Sequence, residues 1–510
     1  MAAVAESGID MPTAKGCAIT PLREEEVFLE PALSHAAREL LDSADFLHGL
    51  AHSLGSPLNI LLPAQIEANA KAFTSVFDRH RIGGAVYYAH KANRSTALVR
   101  HLASTRARID IASLGELQHA LASGFAPDRI MATGPKTPEF LWLAARAGVV
   151  VNADSPSELD TLGRICRSHG IAPVSVMVRF SGFVNSGTTV MSRQSRFGIH
   201  EADVRHYHNV LDGYRDELEL IGVAYHLDTI GIAEKAQALD GCLRLVQEFH
   251  AAGHPVRAVD IGGGYGVNYL ASEQQWEHFT TALTEAVLGQ RESFTWRGHG
   301  YGLRAENGKL RGALSLYPAH RPLSGPAYLD NLLTQQSPVW GQSYATLLQE
   351  LMLDLVVEPG RALLDQCGIA LARVLEVRHA DSETTFIRLD INHGDVSLEE
   401  HGVAVDPIVV PQQDPTRRSE AGGGYLIGNL CLEADFISRR RVYFRNMPQP
   451  GDLLAFPNTA GYFMDFSADH ALHQPIARKI AVTADHRWCL DDEYWPIDRQ
   501  ALTTAGGDTQ

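Results

Sequence analysis

Lys91 lies directly after an apolar, β-branched run in Tyr87-Tyr88-Ala89-His90-Lys91-Ala92-Asn93, where its primary amine could bond covalently to a carbonyl. Other chemically useful groups hold the same position relative to their own runs. Asp110 and Ser113 follow RIDIA, His226 and Thr229 follow IGVAYH, Gly262-Gly263-Gly264 follow RAVDI, and Glu358 with Arg361 follow LDLVV. Three glycines after a strand let backbone N–H groups approach an anion, and Thr229 and Arg361 could add a hydroxyl and a guanidinium. Glu358 beside such a site could hydrogen-bond a protonated ring nitrogen and keep the ring an electron sink, while His226 could stack on the ring face. A single lysine is usually a solvated lysine, and a single glycine triplet is usually a turn. The set taken together describes a place for a phosphorylated ring next to a nucleophilic amine.

The elements that must hold these groups are legible as a rhythm. Between residues 58 and 362, short apolar runs alternate with longer segments of helical periodicity, the pattern of βα units. The runs are 84–89, 108–112, 129–132, 148–152, 174–180, 221–226, 257–261 and 353–357, and eight parallel strands imply a closed (β/α)8 barrel, whose site forms at the carboxyl ends of the strands. Serines 113 and 157 are placed as N-caps of the helices that follow. After Arg361 the pattern becomes short alternating runs broken by Gly, Pro and Asn, which reads as an antiparallel β domain over 363–510. Residues 1–57 are expected to be an N-terminal extension that also contributes to that domain. About ninety residues separate the seventh and eighth runs, far beyond an ordinary βα connection, so 290–345 is an insertion at the catalytic end.

Composition narrows the function classes. The 510-residue chain has a formal charge of −16, which disfavours nucleic acid as a partner. No stretch approaches a membrane span, and residues 1–20 lack a secretory pattern, so the expected location is cytoplasmic. The six cysteines show no Cys-x-x-Cys pair and no histidine at zinc spacing, so no metal is expected and the thiols read as reduced.

The segments YYAHKAN, IDIASLGEL, SGFAPDRIMATGPKT, VNADSPSEL, SRFGI, VDIGGGYGV, VEPGRAL, GNLCLEAD and TAGYFMDF, in this order, resemble the fold-type III pyridoxal-phosphate decarboxylases, the group of diaminopimelate, ornithine and biosynthetic arginine decarboxylases. The resemblance runs from about residue 56 to 466. It implies an alanine-racemase-like barrel with a β domain, pyridoxal phosphate as cofactor, an amino-acid substrate, and a head-to-tail homodimer with shared active sites. By the same resemblance Lys91 holds the cofactor as a Schiff base, His226 stacks on its ring and Glu358 meets its pyridine nitrogen. Thr229, Gly262, Gly263, Gly264, Arg361 and Tyr462 form the phosphate group, Asp110 joins the catalytic set, and Cys431 is the thiol acid inserted by the neighbouring subunit. Thr229 stands where the family usually has Ser, and Asp228 replaces a small Gly.

Two departures concern the substrate. After the cysteine the family commonly has an acid for a distal amino group, whereas this chain has Leu432, with Glu433 and Asp435 beyond it as candidate substrate contacts. An apolar side chain cannot satisfy a buried ammonium. The family's Arg-Pro-x-x-Tyr clamp for a distal carboxylate is replaced by the segment from Asp390 to Glu400. The expectation is decarboxylation of a modified or bulkier α-amino acid rather than of lysine, ornithine or meso-diaminopimelate, in a specialised pathway such as natural-product assembly. The competing readings are an amino-acid racemase or epimerase and a decarboxylase-like regulatory protein without catalysis.

Overall fold

The structure is a computed structural model that describes residues 26–171, 173–183, 195–227, 231–412 and 420–496. Among them, eight parallel strands close into a barrel: β1 Gly84–Ala89, β2 Arg108–Ile111, β3 Ile130–Ala132, β4 Val150–Ala153, β5 Val174–Ser181, β6 Leu218–Tyr225, β7 Ala258–Asp260 and β8 Asp354–Val357. Each pairs with the next, and β8 returns to β1 through Leu355 opposite Gly84. The strands read as near-continuous apolar runs because both faces are covered. Outward residues such as Val86, Tyr88, Ile109, Ile111, Val176 and Val178 pack under the surrounding helices. Inward residues Tyr87, Met131, Met177, Ala258 and Val356 meet on the axis and plug it. The plug leaves the carboxyl ends of the strands as the floor of a cleft.

The connecting helices begin where side-chain oxygens accept their first free N–H groups. Ser95, Ser113, Thr137 and Ser155 each cap a helix in this way. Ser113 caps Leu114–Ala122 as expected. The second expected cap moves from Ser157 to Ser155, because Pro156 occupies the first helical position, where its missing N–H costs nothing.

The second sheet is mostly antiparallel. The strand Leu58–Leu61 lies within it, antiparallel to Gly368–His379 and parallel to Arg478–Val482, so the barrel's own strands start at Gly84. Helices His35–Asp42 and Ala44–Leu54 cover one face of this sheet, packing Leu40, Leu47 and Leu50 against Leu58, Ile60, Ile369, Leu453 and Ile480. No helix among the described residues is long and apolar enough to cross a membrane.

The long segment between β7 and β8 is ordered and tied to this sheet. It contains helix Glu273–Val287, a hairpin of Leu303–Glu306 with Lys309–Gly312, and helices Gly325–Thr334 and Tyr344–Glu350. Trp296 donates its N–H to the Arg439 carbonyl at 2.7 Å, and its ring packs on Phe386, Tyr425 and Phe436. Arg440, buried beside this seam, is paired to Asp406 at 2.5 Å, and Asp406 also accepts the Leu29 N–H.

Candidate active site

The barrel turns the strand-end residues toward one cleft. Lys91 sits in a single helical turn after β1, Asp110 at the end of β2, His226 after β6, the glycine run after β7, and Glu358 after β8. A cavity of about 730 Å³ is lined by Lys91, His226, Gly263, Gly264, Glu358, Arg361 and Tyr462. Tyr462 arrives from the β domain at a left-handed φ of 71°, its N–H held by the Ala92 carbonyl at 2.8 Å. The glycines are needed for room. A Cβ at Gly262 would lie 2.7 Å from His226 Nδ1, one at Gly263 3.0 Å from the Glu358 carbonyl, and one at Gly360 3.0 Å from the Tyr462 hydroxyl. Nη1 of Arg361 is buried without a hydrogen-bond partner. Bare backbone, a hydroxyl and a free guanidinium N–H thus converge on the space that a phosphate would fill.

Three buried carboxyl groups, Asp110, Asp260 and Glu358, interact at the strand ends, and they do not share one charge state. Burial, reinforced by Glu358, pushes Asp110 up to about 8, and its Oδ1 accepts the Thr133 hydroxyl at 2.6 Å. Burial and Glu358 likewise raise Asp260 far above the carboxylate range. Burial would raise Glu358 as well, but its contacts with His226, at 3.3 Å, and with Asp260 hold it down as the anion. Burial keeps His226 below the ordinary histidine value. For Lys91, burial pulls the ammonium down, yet Asp110, Tyr462 and Glu358 more than offset it, so the amine titrates above ordinary lysine.

The remaining expected residues fall elsewhere. Ser113 is spent as a helix cap, and Asp228 and Thr229 lie outside the described residues. Cys431 is exposed and lines a separate cavity of about 640 Å³ with Leu432, Glu433, Asp435 and Trp296, so one chain does not bring it to Lys91. Leu432 is 53% exposed. Asp435 is buried, and its carboxylate is occupied by the N–H groups of His393 and Leu430 and by His393 Nδ1, which shapes the cysteine loop from within.

Sequence reasoning missed several residues of the cleft. Lys235 is fully buried beneath the glycine run and donates to the carbonyls of Ile261, at 3.0 Å, and Gly263. Those bonds turn two loop carbonyls away from the cleft. Its signal was available: Lys235 shares helical spacing with Ala238, Leu239, Cys242 and Val246, the buried face of Ile232–Ala251. Asp260 stands two residues before Gly262 and accepts its N–H at 2.8 Å. His90, next to Lys91, bonds His119 at 2.7 Å, and its Nδ1 lies 3.1 Å from the Glu116 carboxylate. Tyr317 and Arg321, from the long insertion, line the Lys91 cavity.

Comparison with known proteins finds relatives along most of the chain and solved structures of the same fold. A family model described as "Pyridoxal-dependent decarboxylase, pyridoxal binding domain" matches residues 63–311. The chain is 30% identical over 465 residues to the "Uncharacterized protein y4yA" of Sinorhizobium fredii, covering 90% of this chain and 94% of the relative. It is 26% identical to a diaminopimelate decarboxylase of Pseudomonas aeruginosa, covering 86% and 90%. Among solved structures, the diaminopimelate decarboxylase from M. jannaschii in co-complex with L-lysine aligns with a TM-score of 0.66 at 19% identity, covering 87% of this chain and 91% of that one. The arginine decarboxylase of Paramecium bursaria Chlorella virus aligns with a TM-score of 0.62 at 18% identity, covering 87% and 100%.

Proposed function

The chain belongs to the fold-type III pyridoxal-dependent decarboxylases, and from that premise we propose that it removes the α-carboxylate of an amino acid other than lysine, ornithine or meso-diaminopimelate. The observation that carries the reading is the convergence of Lys91, His226, Glu358, Gly263, Arg361 and Tyr462 on one cavity.

These residues fit pyridoxal phosphate. Gly263, Gly264, Gly360, Arg361 and Tyr462 would hold its phosphate, His226 and Glu358 its ring, and Lys91 its aldehyde carbon. When bound, the cofactor supplies an electron-withdrawing ring that accepts the electron pair left behind as carbon dioxide departs. The chain's own groups do the rest. Glu358, kept ionised, suits a protonated ring nitrogen. Asp110, able to hold or release a proton near neutral pH, stands by the Lys91 amine and sets its charge. Cys431 serves as proton donor to the site of a second subunit, since its loop presents it outward and away from its own Lys91. The working unit is therefore a homodimer with shared sites. Leu432 beside it offers nothing to a distal ammonium, which argues against the family's simple diamino substrates. A specialised biosynthetic route is the setting these departures favour, in a cytoplasmic enzyme by the charge and N-terminal pattern of the sequence.

The test is a panel of α-amino acids scored for carbon dioxide release and, in parallel, for loss of optical rotation. Decarboxylation of at least one member supports the reading. Racemisation without carbon dioxide would replace it with the racemase reading, and a Lys91-independent protein that takes up no cofactor would replace it with the regulatory one.

A further inference from the structure

Residues 315–321 of the insertion are fastened across the Lys91 cavity. Ser315 N–H donates to the Tyr301 carbonyl at 2.7 Å, Tyr317 N–H to the Gly402 carbonyl at 2.6 Å, and Arg321 N–H to Asn268 Oδ1 at 2.8 Å. Asn268 donates back to the Arg321 carbonyl at 3.2 Å. On this run the Tyr317 ring lies against two guanidiniums, with the Arg321 Cζ 3.9 Å and the Arg361 Cζ 4.8 Å from its centroid. Arg321 is only 7% exposed, and its stem passes so close to Gly266 that a Cβ there would sit 3.0 Å from Cδ.

Neither arginine has a carboxylate at ion-pair distance among the described residues, and each keeps a buried N–H without a partner, Nη2 of Arg321 and Nη1 of Arg361. A buried guanidinium without a counter-ion is costly, and two near each other repel. The Tyr317 ring offsets part of that cost as a cation–π partner but accepts none of the free N–H bonds. The arrangement is complete only when an oxyanion enters. Arg361 would serve a phosphate held by Gly263 and Gly264, whereas Arg321 comes from the insertion and packs against Gly266 on the same cavity. Leu432, meanwhile, provides no acid for a distal cation.

We infer that Arg321, on the platform of Tyr317, is a specificity residue for a second carboxylate on the substrate, which is therefore a dicarboxylic α-amino acid without a distal ammonium. This rests on the decarboxylase reading above and adds the chemistry of the substrate's far end. Charge-assisted guanidinium–carboxylate pairing at the unpartnered Nη2 supplies the selectivity, since Nε already donates to the Pro318 carbonyl at 3.4 Å and the amide of the same acid brings no charge to the buried guanidinium.

The test uses the cofactor-loaded full chain with aspartate, glutamate and 2-aminoadipate against asparagine, glutamine and norleucine. Binding is read as the change in the cofactor's visible absorbance, and cofactor affinity is measured separately by equilibrium dialysis. The wild type should bind one of the acids at least about tenfold more tightly than its uncharged counterpart. Arg321→Gln should abolish that preference while leaving cofactor affinity within about twofold, and Arg321→Lys, which keeps the charge, should retain part of it. A wild type that shows no preference for acids overturns the inference. So does an Arg321→Gln variant that keeps the preference but loses cofactor, since the guanidinium would then serve the phosphate. Because binding is scored apart from turnover, absence of carbon dioxide from every probe would count against the decarboxylase reading and not against the clamp.

Discussion

Gly262→Ala is the sharpest probe of why the loop after β7 is built from glycine. Gly262 has φ +64°, and a side chain there would put Cβ 2.7 Å from His226 Nδ1 and 3.0 Å from the Tyr225 carbonyl. The left-handed backbone costs about 1 kcal/mol for a residue with a Cβ. Neither obstacle yields easily, one being backbone and the other a ring lying 3.3 Å from Glu358. Overpacking of this kind adds about 1–3 kcal/mol, and the lost freedom of glycine in the unfolded chain returns about 0.5 kcal/mol. The net expected loss is about 2–3 kcal/mol, and His226 must shift. Gly289→Ala is the control, because Gly289 has φ +72° with nothing within 4 Å. Urea denaturation of the cofactor-free proteins should show Gly262→Ala less stable than Gly289→Ala by about 1–3 kcal/mol, with only the former losing cofactor affinity in an absorbance titration. Equal losses in the two variants would refute the argument that the loop is glycine because His226 packs against it.

Three other outcomes are expected. Asp110 titrates at about 8 when folded against an ordinary 3.8, so between those values the folded chain keeps a proton that the unfolded chain releases. Its contribution to stability therefore declines as pH rises through that window, and Asp110→Asn should gain a few kcal/mol on the cofactor-free wild type between about pH 5 and pH 8.5; parallel pH–stability curves would show that Asp110 is not so perturbed. Lys235→Met removes the donor of two loop carbonyls, so cofactor affinity should fall about tenfold or more with the fold retained by circular dichroism, and an unchanged affinity would reduce Lys235 to a packing residue. Cys431→Ala should keep the cofactor's absorbance while slowing or misdirecting product protonation, and mixing it with Lys91→Ala should restore part of the activity; confirmed mixed dimers without recovery would mean self-contained sites.

Much of this architecture is legible in the sequence because buried parallel strands are written as contiguous apolar runs. Each of β1 to β8 overlaps one such run, and the chemistry stands just past their ends, as with Lys91, Glu358 and the glycines. What escapes is whatever depends on distant partners. Leu58–Leu61 looks like any short apolar run, and only its pairing with Gly368–His379 and Arg478–Val482 assigns its sheet. Ser155 replaces Ser157 as a cap through one neighbouring proline. Tyr317 and Arg321 lie in a segment of turns without periodicity, fixed to the cleft by bonds to Gly402 and Asn268 that no local pattern announces. Asp435 reads as a site acid from its position after Cys431, yet the fold spends it on His393 and Leu430.

The central claim is that Lys91 carries the cofactor, and covalent mapping tests it most directly. The holoprotein is treated with sodium borohydride, digested and analysed by mass spectrometry. The account predicts a phosphopyridoxyl group on the peptide containing Lys91 and its loss in Lys91→Ala. A wild-type label on Lys235 or any lysine other than Lys91, or a fully loaded protein with no label, would contradict it.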